Sequence, residues 1–241
     1  MSIKAHMEKV LSGEHLSTDE AAAALETIMT GEATDVQIAG LLVALRANGE
    51  SVDELVGFAR TMRLHAVRVR LEDPDAIDMC GTGGDGRGTF NISTVASFVA
   101  AGAGVTVAKH GNRSVSSRSG SADVLAALGV NISLPPERVE ACINEVGIGF
   151  LFAPLFHPAM KHAGKARAEL ATRTIFNMLG PLTNPAGVRR QLIGAYSARV
   201  AGQLACALQR LGALKACVVH SEDGMDEISA AAGTRMFEPD A

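Results

Sequence analysis

A glycine-rich segment carries the strongest chemical signal in this sequence. Residues 78–94 read DMCGTGGDGRGTFNIST, with glycines at positions 81, 83, 84, 86 and 88. Glycines let backbone amides approach an anion closely. A helix that opens at the Asn-Ile-Ser-Thr string would add free N–H groups and the positive end of its dipole. Asn91, Ser93 and Thr94 supply further donors, so the segment predicts a cradle for phosphate.

A dinucleotide site is the first alternative, because Gly81, Gly83 and Gly86 have the G-x-G-x-x-G spacing. That signal is weak here. Asp85 would repel a pyrophosphate held only by backbone amides. The acid that usually binds the ribose is absent, since no Asp or Glu lies between Asp85 and Asp123. A Walker loop is excluded because no Gly-Lys-Ser/Thr follows. The remaining alternative to a phosphate site is a glycine loop that is flexible and binds nothing.

A cationic, serine-rich segment follows at residues 109–123, KHGNRSVSSRSGSAD. It comes directly after the apolar run 105–108, which places it at the carboxyl end of a predicted strand, where open α/β sheets usually bind ligands. Lys109, Arg113 and Arg118 together with five serines suit a ligand with several phosphates. A solvated basic loop is the alternative that this segment would favour in isolation.

Two more segments could hold ligands. Residues 222–227, EDGMDE, follow the apolar run 216–219, and paired carboxylates at a strand end suit Mg²⁺. A surface acidic turn would be the ordinary interpretation without a pyrophosphate site nearby.

Arg167 precedes the stiff turn GPLTNP and could offer a guanidinium fork to a carboxylate. A surface arginine or an internal salt bridge is the alternative there.

The elements that position these segments follow from periodicity. The first seventy residues predict helices, because capping boxes begin at Ser17, Thr34 and Ser51 and glycines 31 and 49 end the first two helices. Beyond Leu71, apolar runs at 76–79, 105–108, 148–152, 191–195 and 216–219 alternate with helical patterns. This alternation predicts a mainly parallel sheet covered by helices.

Composition narrows the class of protein. The chain has 241 residues, 47% of them hydrophobic, and a formal net charge of −4, which argues against a nucleic-acid binder. The four widely spaced cysteines predict buried thiols in a reducing compartment, neither disulfides nor metal ligands. The sequence shows neither the apolar core of a signal peptide nor a membrane-spanning stretch, so a cytoplasmic location is expected.

Together the strings CGTGGDG, TFNIST, KHGNRSVSS, GSAD, RTIFNMLGPLTNP and GMDEIS resemble the anthranilate phosphoribosyltransferase family. The resemblance implies an α/β fold of the nucleoside phosphorylase/phosphoribosyltransferase type. A small helical domain at 1–70, with the helices of about 157–185 packed on it, would join a larger α/β catalytic domain at 71–241. The resemblance also implies a homodimer through the helical domain. The implied reaction transfers the phosphoribosyl group of phosphoribosyl pyrophosphate to anthranilate in tryptophan biosynthesis and uses Mg²⁺.

The resemblance also implies residue roles. The phosphoribosyl pyrophosphate contacts would be Gly81, Gly84, Asp85, Thr89, Asn91, Ser93, Thr94, Lys109, His110, Gly111, Asn112, Arg113, Ser114, Ser117 and Ser121. Anthranilate would contact Gly81, Asn112 and Arg167, and Mg²⁺ would bind Ser93, Asp226 and Glu227. No residue is assigned as an acid or base, because the aromatic amine of anthranilate is already neutral at pH 7.

Two departures from the family pattern are visible. Family members are longer at the C-terminus, and Ala171 stands where a glycine is usual. Three rival hypotheses remain: a nucleoside phosphorylase, a non-catalytic relative that binds nucleic acid, and an inactive shortened chain. The −4 net charge and the intact Asp226–Glu227 pair argue against the second of these.

Overall fold

The structure is a computed structural model that describes residues 2–114 and 119–239. The chain divides into two compact units. Unit 1 comprises Met1–Ala66 and His157–Thr183, and unit 2 comprises Val67–Phe156 and Asn184–Ala241. In chain order the elements are α1 (Ile3–Leu11), α2 (Thr18–Met29), α3 (Asp35–Asn48), α4 (Val52–His65), β1 (Ile77–Gly81), α5 (Ile92–Gly102), β2 (Val107–Gly111), α6 (Ser121–Ala127), α7 (Pro136–Ala141), β3 (Ile148–Phe152), α8 (Ala153–Phe156), α9 (Lys161–Leu170), α10 (Phe176–Leu179), β4 (Arg190–Gly194), α11 (Ala198–Arg210), β5 (Lys215–Ser221) and β6 (Thr234–Phe237).

Unit 1 is helical, and its helices begin where the sequence predicts. Ser17, Thr34 and Ser51 are the N-caps of α2, α3 and α4, and each forms a complete capping box. Gly49, in the left-handed region at φ 82°, ends α3. Ile38, Leu41, Leu42 and Leu45 of α3 are fully buried and form part of the core of unit 1.

Unit 2 is built on one six-stranded sheet with the order β3-β2-β1-β4-β5-β6. The first five strands are parallel, and β6 pairs antiparallel with β5. From β1 the chain continues to β2 on one side of the sheet, and from β4 it continues to β5 on the other side. The direction in which strands are added therefore reverses between β1 and β4. A crevice forms at the carboxyl ends of the strands at such a reversal. The predicted fold class, a helical domain plus a mainly parallel α/β domain, is confirmed.

Three details differ from the sequence expectations. The strand β6 was not predicted, because Thr234–Phe237 is short and half exposed and carries no alternation of apolar and polar residues. The helical pattern that precedes the apolar run 148–152 does not form one regular helix, since α7 passes into a π-helical turn at Cys142–Val146. The cysteines are free, as predicted, but the predicted burial is wrong: Cys80, Cys142 and Cys217 are only partly buried, and Cys206 is exposed because it lies on the solvent side of the amphipathic helix α11.

None of the helices in the described part of the chain is both long enough and apolar enough to cross a bilayer.

Candidate active site

The glycine-rich segment leaves β1 at the reversal point of the sheet and is held against the end of β4. The Thr82 amide donates to the Gly194 carbonyl at 2.8 Å, and the Tyr196 amide donates to the Thr82 hydroxyl at 3.1 Å. Gly83 and Gly84 have φ angles of 66° and 74°, a backbone region that residues with a Cβ rarely adopt. The loop therefore needs glycine for its backbone path and begins at the crevice predicted to bind ligands.

The acidic segment after β5 contacts this loop. The Gly83 amide donates to the Asp226 carboxylate at 2.9 Å. A Cβ on Gly194 would lie only 1.6 Å from the Asp226 carbonyl oxygen, and one on Gly81 would lie 3.0 Å from its carboxylate. Glycine at 194 is thus required so that the acidic segment can approach β4 and reach the loop.

Glu227 lies at the start of α5. Its carboxylate accepts a hydrogen bond from the Ser93 amide, one of the free N–H groups of the first helical turn. The Ser93 hydroxyl accepts from the Lys109 ammonium at 3.2 Å, and Lys109 also donates to the Met79 carbonyl. The Thr94 hydroxyl is buried and has no hydrogen-bond partner among residues 2–114 and 119–239. An acid, a cation and an unsatisfied donor therefore meet at this helix end.

The carboxylates near the loop destabilise one another. Burial, and then the charge of Asp85, raise the pKa of Asp226 to about 6. Burial, and then the charge of Asp226, raise the pKa of Glu227 to about 7. Burial lowers the pKa of Lys109, while the carboxylates of Asp78 and Glu227 raise it. A bound divalent cation would offset the repulsion between the acids.

This donor set fits Mg²⁺. The ion prefers oxygen ligands, keeps several waters and is usually held by one or two carboxylates together with phosphates of the substrate. Asp226 and Glu227 supply two such carboxylates, and the Ser93 hydroxyl lies beside Lys109. In the described residues, no group of three or more His, Cys, Asp or Glu side chains could hold a metal ion alone. A site that needs substrate phosphates to complete it is consistent with that finding.

A buried carboxylate in β1 stabilises the strand that leads into the glycine loop. Asp78 in β1 is fully buried, and its oxygens accept from the His110 amide at 3.1 Å and the Asn184 side-chain amide at 2.8 Å. Asn184 also donates to the Ala108 carbonyl at 2.9 Å. This network ties β1 to the end of β2, which carries Lys109, and so fixes where that cation lies relative to the glycine loop.

The serine-rich segment is organised by Asp123. Its carboxylate accepts from the amides of Ser114 and Gly120, at 3.0 and 2.8 Å, and these bonds lower its pKa. Arg113 pairs with Asp123 at 2.8 Å, so its guanidinium is engaged within the segment rather than free for phosphate. Ser121 lies tight against Gly111, where a Cβ would come within 2.2 Å of its hydroxyl.

Two family models match the chain, one after the other. Residues 4–66 match the glycosyl transferase family, helical bundle domain, and residues 73–240 match the glycosyl transferase family, a/b domain. An anthranilate phosphoribosyltransferase of Moorella thermoacetica is 58% identical over 227 residues, which cover 94% of this chain and 67% of that protein. The chain belongs to the anthranilate phosphoribosyltransferase family. It is therefore a glycosyltransferase, as its motifs predicted.

Solved structures agree with this phosphoribosyltransferase assignment. The anthranilate phosphoribosyltransferase of Thermus thermophilus superposes with a TM-score of 0.88 at 48% identity, covering 97% of this chain and 73% of that one. The Saccharomyces cerevisiae enzyme in complex with PRPP and Mg superposes with a TM-score of 0.86 at 29% identity. That match covers 98% of this chain and 72% of the yeast chain.

The residues assigned by the phosphoribosyltransferase motifs fall into groups. Gly81, Ser93, Lys109, Asp226 and Glu227 lie on the connected network described above. The remaining assigned residues of unit 2 lie on the glycine loop, at its exit, or on the serine-rich segment; they are Gly84, Asp85, Thr89, Asn91, Thr94, His110, Gly111, Asn112, Arg113, Ser114 and Ser121. Ser117, like Arg118, lies outside the described residues.

Arg167 belongs to unit 1. It lies on α9, and its guanidinium lies 4.9 Å from the centre of the Phe176 ring. Burial lowers its pKa. Within the described parts of the chain, no ion pair to a carboxylate engages it, which leaves its fork of donors available to an anionic ligand.

Sequence reasoning missed four supporting residues: Asp78, Asn184, Asp123 and Gly194. The first three lie inside the quoted strings, but they had no assigned role, because a buried polar partner is recognised only when its contacts are known. Gly194 had no signal beyond its place at the end of a predicted strand.

Proposed function

We propose that the crevice between β1 and β4 binds phosphoribosyl pyrophosphate with Mg²⁺, and that its phosphoribosyl group is transferred to anthranilate. The products are N-(5-phosphoribosyl)anthranilate and pyrophosphate. One observation carries the proposal: the acidic pair contacts both the glycine loop, through Gly83 and Asp226, and the start of α5, through Ser93 and Glu227. Groups suited to phosphate and groups suited to a divalent cation are thereby within reach of one ligand.

The reaction is a substitution at the anomeric carbon of ribose. The bond from that carbon to the pyrophosphate oxygen breaks, and a bond to the anthranilate nitrogen forms. The amine then loses one proton to solvent or to the departing pyrophosphate. Because positive charge builds on the ribose ring while negative charge leaves, catalysis rests on alignment of the reactants and on stabilisation of the leaving group.

The chain's own residues serve these two needs. The amides of the glycine loop and of the first turn of α5 are placed for phosphate oxygens. The hydroxyl of Thr94 is a buried donor without a partner in the described chain, and a phosphate would satisfy it. Lys109, fixed by its bonds to Ser93 and Met79, supplies a cation in a buried setting where charge acts strongly.

Ser93, Asp226 and Glu227 would hold the Mg²⁺. When bound, the ion neutralises charge on the pyrophosphate as it departs. The fold holds the carboxylates of Asp226 and Glu227 close together in a buried setting, where their charges repel each other unless a cation is bound.

Arg167, Asn112 and Gly81 would receive anthranilate. A planar guanidinium with parallel donors matches a carboxylate in two bonds. Stacking on Phe176 fixes the plane of the Arg167 fork, which lowers the entropy lost on binding. The aromatic amine needs no strong base, and none is assigned to it.

Three wider assignments accompany the reaction. The domains are 1–70, with 157–185, and 71–241. A homodimer through the helical unit is supported by Val36 and Val43, which are 82% and 46% exposed and lie seven positions apart on α3, on one face of that helix. A cytoplasmic location is supported by four free cysteines in the described chain.

A fluorescence assay tests the proposal. Anthranilate consumption should require this chain, phosphoribosyl pyrophosphate and Mg²⁺ together, and should stop on chelation with EDTA. A parallel assay should find no phosphorolysis of nucleosides with inorganic phosphate. Absence of consumption by a folded sample, or phosphorolysis in its place, would overturn the assignment.

A further inference from the structure

The two acids assigned to Mg²⁺ lie on a turn, residues 221–229, that begins and ends with a serine. Ser221 is the last residue of β5 and precedes both acids, Asp226 and Glu227, whereas Ser229 follows them. A side chain that contacted both serines would close this turn around the two acids. Asp223 is the residue that does so.

Each carboxylate oxygen of Asp223 binds one end of the 221–229 turn. Its Oδ1 accepts a hydrogen bond from the Ser221 hydroxyl at 2.5 Å, and its Oδ2 accepts one from the Ser229 hydroxyl at 2.7 Å. The Met225 amide also donates to Oδ1, at 3.4 Å. Hydrogen bonds to an ionised carboxylate are roughly twice as strong as those between neutral groups. Asp223 therefore fixes both ends of the turn.

Ser229 connects the far end of the turn to the sheet. Its hydroxyl oxygen accepts from the amides of Ala231 and Ala232 at 3.0 and 3.1 Å, and its own amide donates to the Thr234 hydroxyl at 3.2 Å. Thr234 is the first residue of β6, which pairs with β5. The serine that Asp223 binds is thus attached to the strand next to the one from which the turn begins.

The 221–229 turn also meets the glycine loop at a second place. Its backbone is tight, since the Gly224 amide donates to the Ser221 carbonyl at 2.9 Å and the Ser221 amide donates to the Met225 carbonyl at 3.0 Å. Gly224 has a φ angle of 87°, and a Cβ there would overlap the Arg87 guanidinium, at 3.0 Å from its Nε. The conformation of the turn therefore bears on the loop through Gly224 as well as through Asp226.

We propose that Asp223 is a positioning residue for the Mg²⁺ site, which binds Ser221 and Ser229 and so holds the turn in the conformation that presents Asp226 and Glu227 to the ion. The inference rests on the proposed function, which assigns the ion to those two acids. Their charges repel each other, which favours their separation in the absence of metal, and the Asp223 bonds oppose it. Asp223 acts through the turn, because both its oxygens are engaged by hydroxyl donors.

The first measurement uses the full 241-residue chain without metal or substrate. Asp223→Ala removes both serine contacts, so amide hydrogen exchange across residues 221–229 should become about fivefold faster or more. Glu222→Ala is the matched control, because it removes a neighbouring acid of the same charge whose side chain is 58% exposed. It should leave exchange at the parental rate. Circular dichroism checks that both variants fold.

The second measurement follows the metal itself. Water-proton relaxation with Mn²⁺ and pyrophosphate reports metal bound to the chain without any turnover. Half-saturation should need about tenfold more Mn²⁺ in Asp223→Ala and the parental concentration in Glu222→Ala. In the anthranilate assay the half-saturating Mg²⁺ should rise in the same way, while the KM for anthranilate stays near the parental value. A general loss of structure would change both.

The third measurement separates positioning from direct coordination. Ser229→Ala leaves the Asp223 carboxylate in place but removes one of its donors, and should raise the half-saturating Mn²⁺ roughly threefold or more. Ser229→Thr keeps a hydroxyl and should restore binding. The variant that combines Asp223→Ala with Ser229→Ala should show less than the product of the two single effects, because the two side chains share one hydrogen bond.

Three results would overturn the inference: equal exchange in Asp223→Ala and the parent chain, equal Mn²⁺ binding by these two proteins, or independent effects of Asp223→Ala and Ser229→Ala. The last would show that Asp223 coordinates the ion or acts by its charge alone. If the parent chain binds no Mn²⁺ with pyrophosphate, the proposed function fails. The exchange comparison, which needs neither, still decides whether Asp223 holds the turn.

Discussion

The backbone amide of Gly83 donates a hydrogen bond to the carboxylate of Asp226 over 2.9 Å, across 143 positions in the sequence. This bond joins the loop after β1 to the acidic segment after β5, although β4 lies between those strands in the sheet. It is possible because Gly194, at the end of β4, leaves room for the Asp226 backbone to pass. The acidic pair is thereby held at the glycine loop, where its charge bears on both metal binding and stability.

Replacing the acidic pair should weaken metal use. Asp226→Asn with Glu227→Gln removes both carboxylates while keeping side-chain size, so half-maximal turnover should need roughly tenfold more Mg²⁺ or greater. A Mg²⁺ titration of anthranilate consumption measures this. Glu222→Gln is the control, because Glu222 is an exposed acid of the same segment. Identical titration curves for the double variant and the parent chain would remove these two residues from the metal site.

The same carboxylates should make stability depend on pH in the absence of metal. Their native pKa values, about 6 for Asp226 and about 7 for Glu227, lie above the ordinary values of 3.8 and 4.5. Between about pH 4 and pH 7 the native state keeps protons that the unfolded chain has released. Its free energy of unfolding therefore falls as pH rises through this window.

Asp226→Asn should accordingly be more stable than the parent chain at pH 8 in EDTA, by on the order of 1–3 kcal/mol, with the difference shrinking toward pH 4. Urea denaturation at pH 4, 6 and 8 gives the comparison, and Mg²⁺ added together with pyrophosphate should stabilise the parent chain more than Asp226→Asn. An equal loss of stability at all three pH values would show that the Gly83 hydrogen bond outweighs the charge repulsion.

Arg167→Ala should raise the KM for anthranilate roughly 10- to 100-fold, because a charge-assisted pair contributes about 1.5–3 kcal/mol. Affinity for phosphoribosyl pyrophosphate should change little. Arg167→Lys should restore only part of the loss, since an ammonium lacks the planar fork. Lys165→Ala serves as the control, because Lys165 is an exposed cation of the same helix that pairs with Asp35 at 3.1 Å. Unaltered anthranilate kinetics in Arg167→Ala would reject this site.

Asp78 and Asn184 should behave as one unit in stability. Asp78→Asn places an amide where the carboxylate accepts from two donors, and should cost about 2–4 kcal/mol. Asn184→Ala should cost a similar amount, and the double variant less than both together, because the two side chains share one hydrogen bond. Chemical denaturation of the four proteins completes the cycle. Asn131→Ala, in an exposed turn, should be nearly neutral. Additive losses would show that the pair is not coupled.

Local signals accounted for much of this fold. The capping boxes at Ser17, Thr34 and Ser51 set the starts of three helices, because such caps depend on residues three apart. The five parallel strands lie at the predicted apolar runs, with their ends shifted by a few residues. The strand β6 escaped prediction, since it is ordered by pairing with β5 rather than by its own pattern.

The sequence by itself determined the helical and strand segments, the glycine loop, the cationic and acidic segments and, through their resemblance, the family. Those features arise from neighbouring residues or from short strings. Only the tertiary structure decided that Asp226 reaches Gly83, that Asp78 and Asn184 meet beside Lys109, and that Arg113 pairs with Asp123. These contacts depend on strand order and on close packing, which bring together residues that lie far apart along the chain.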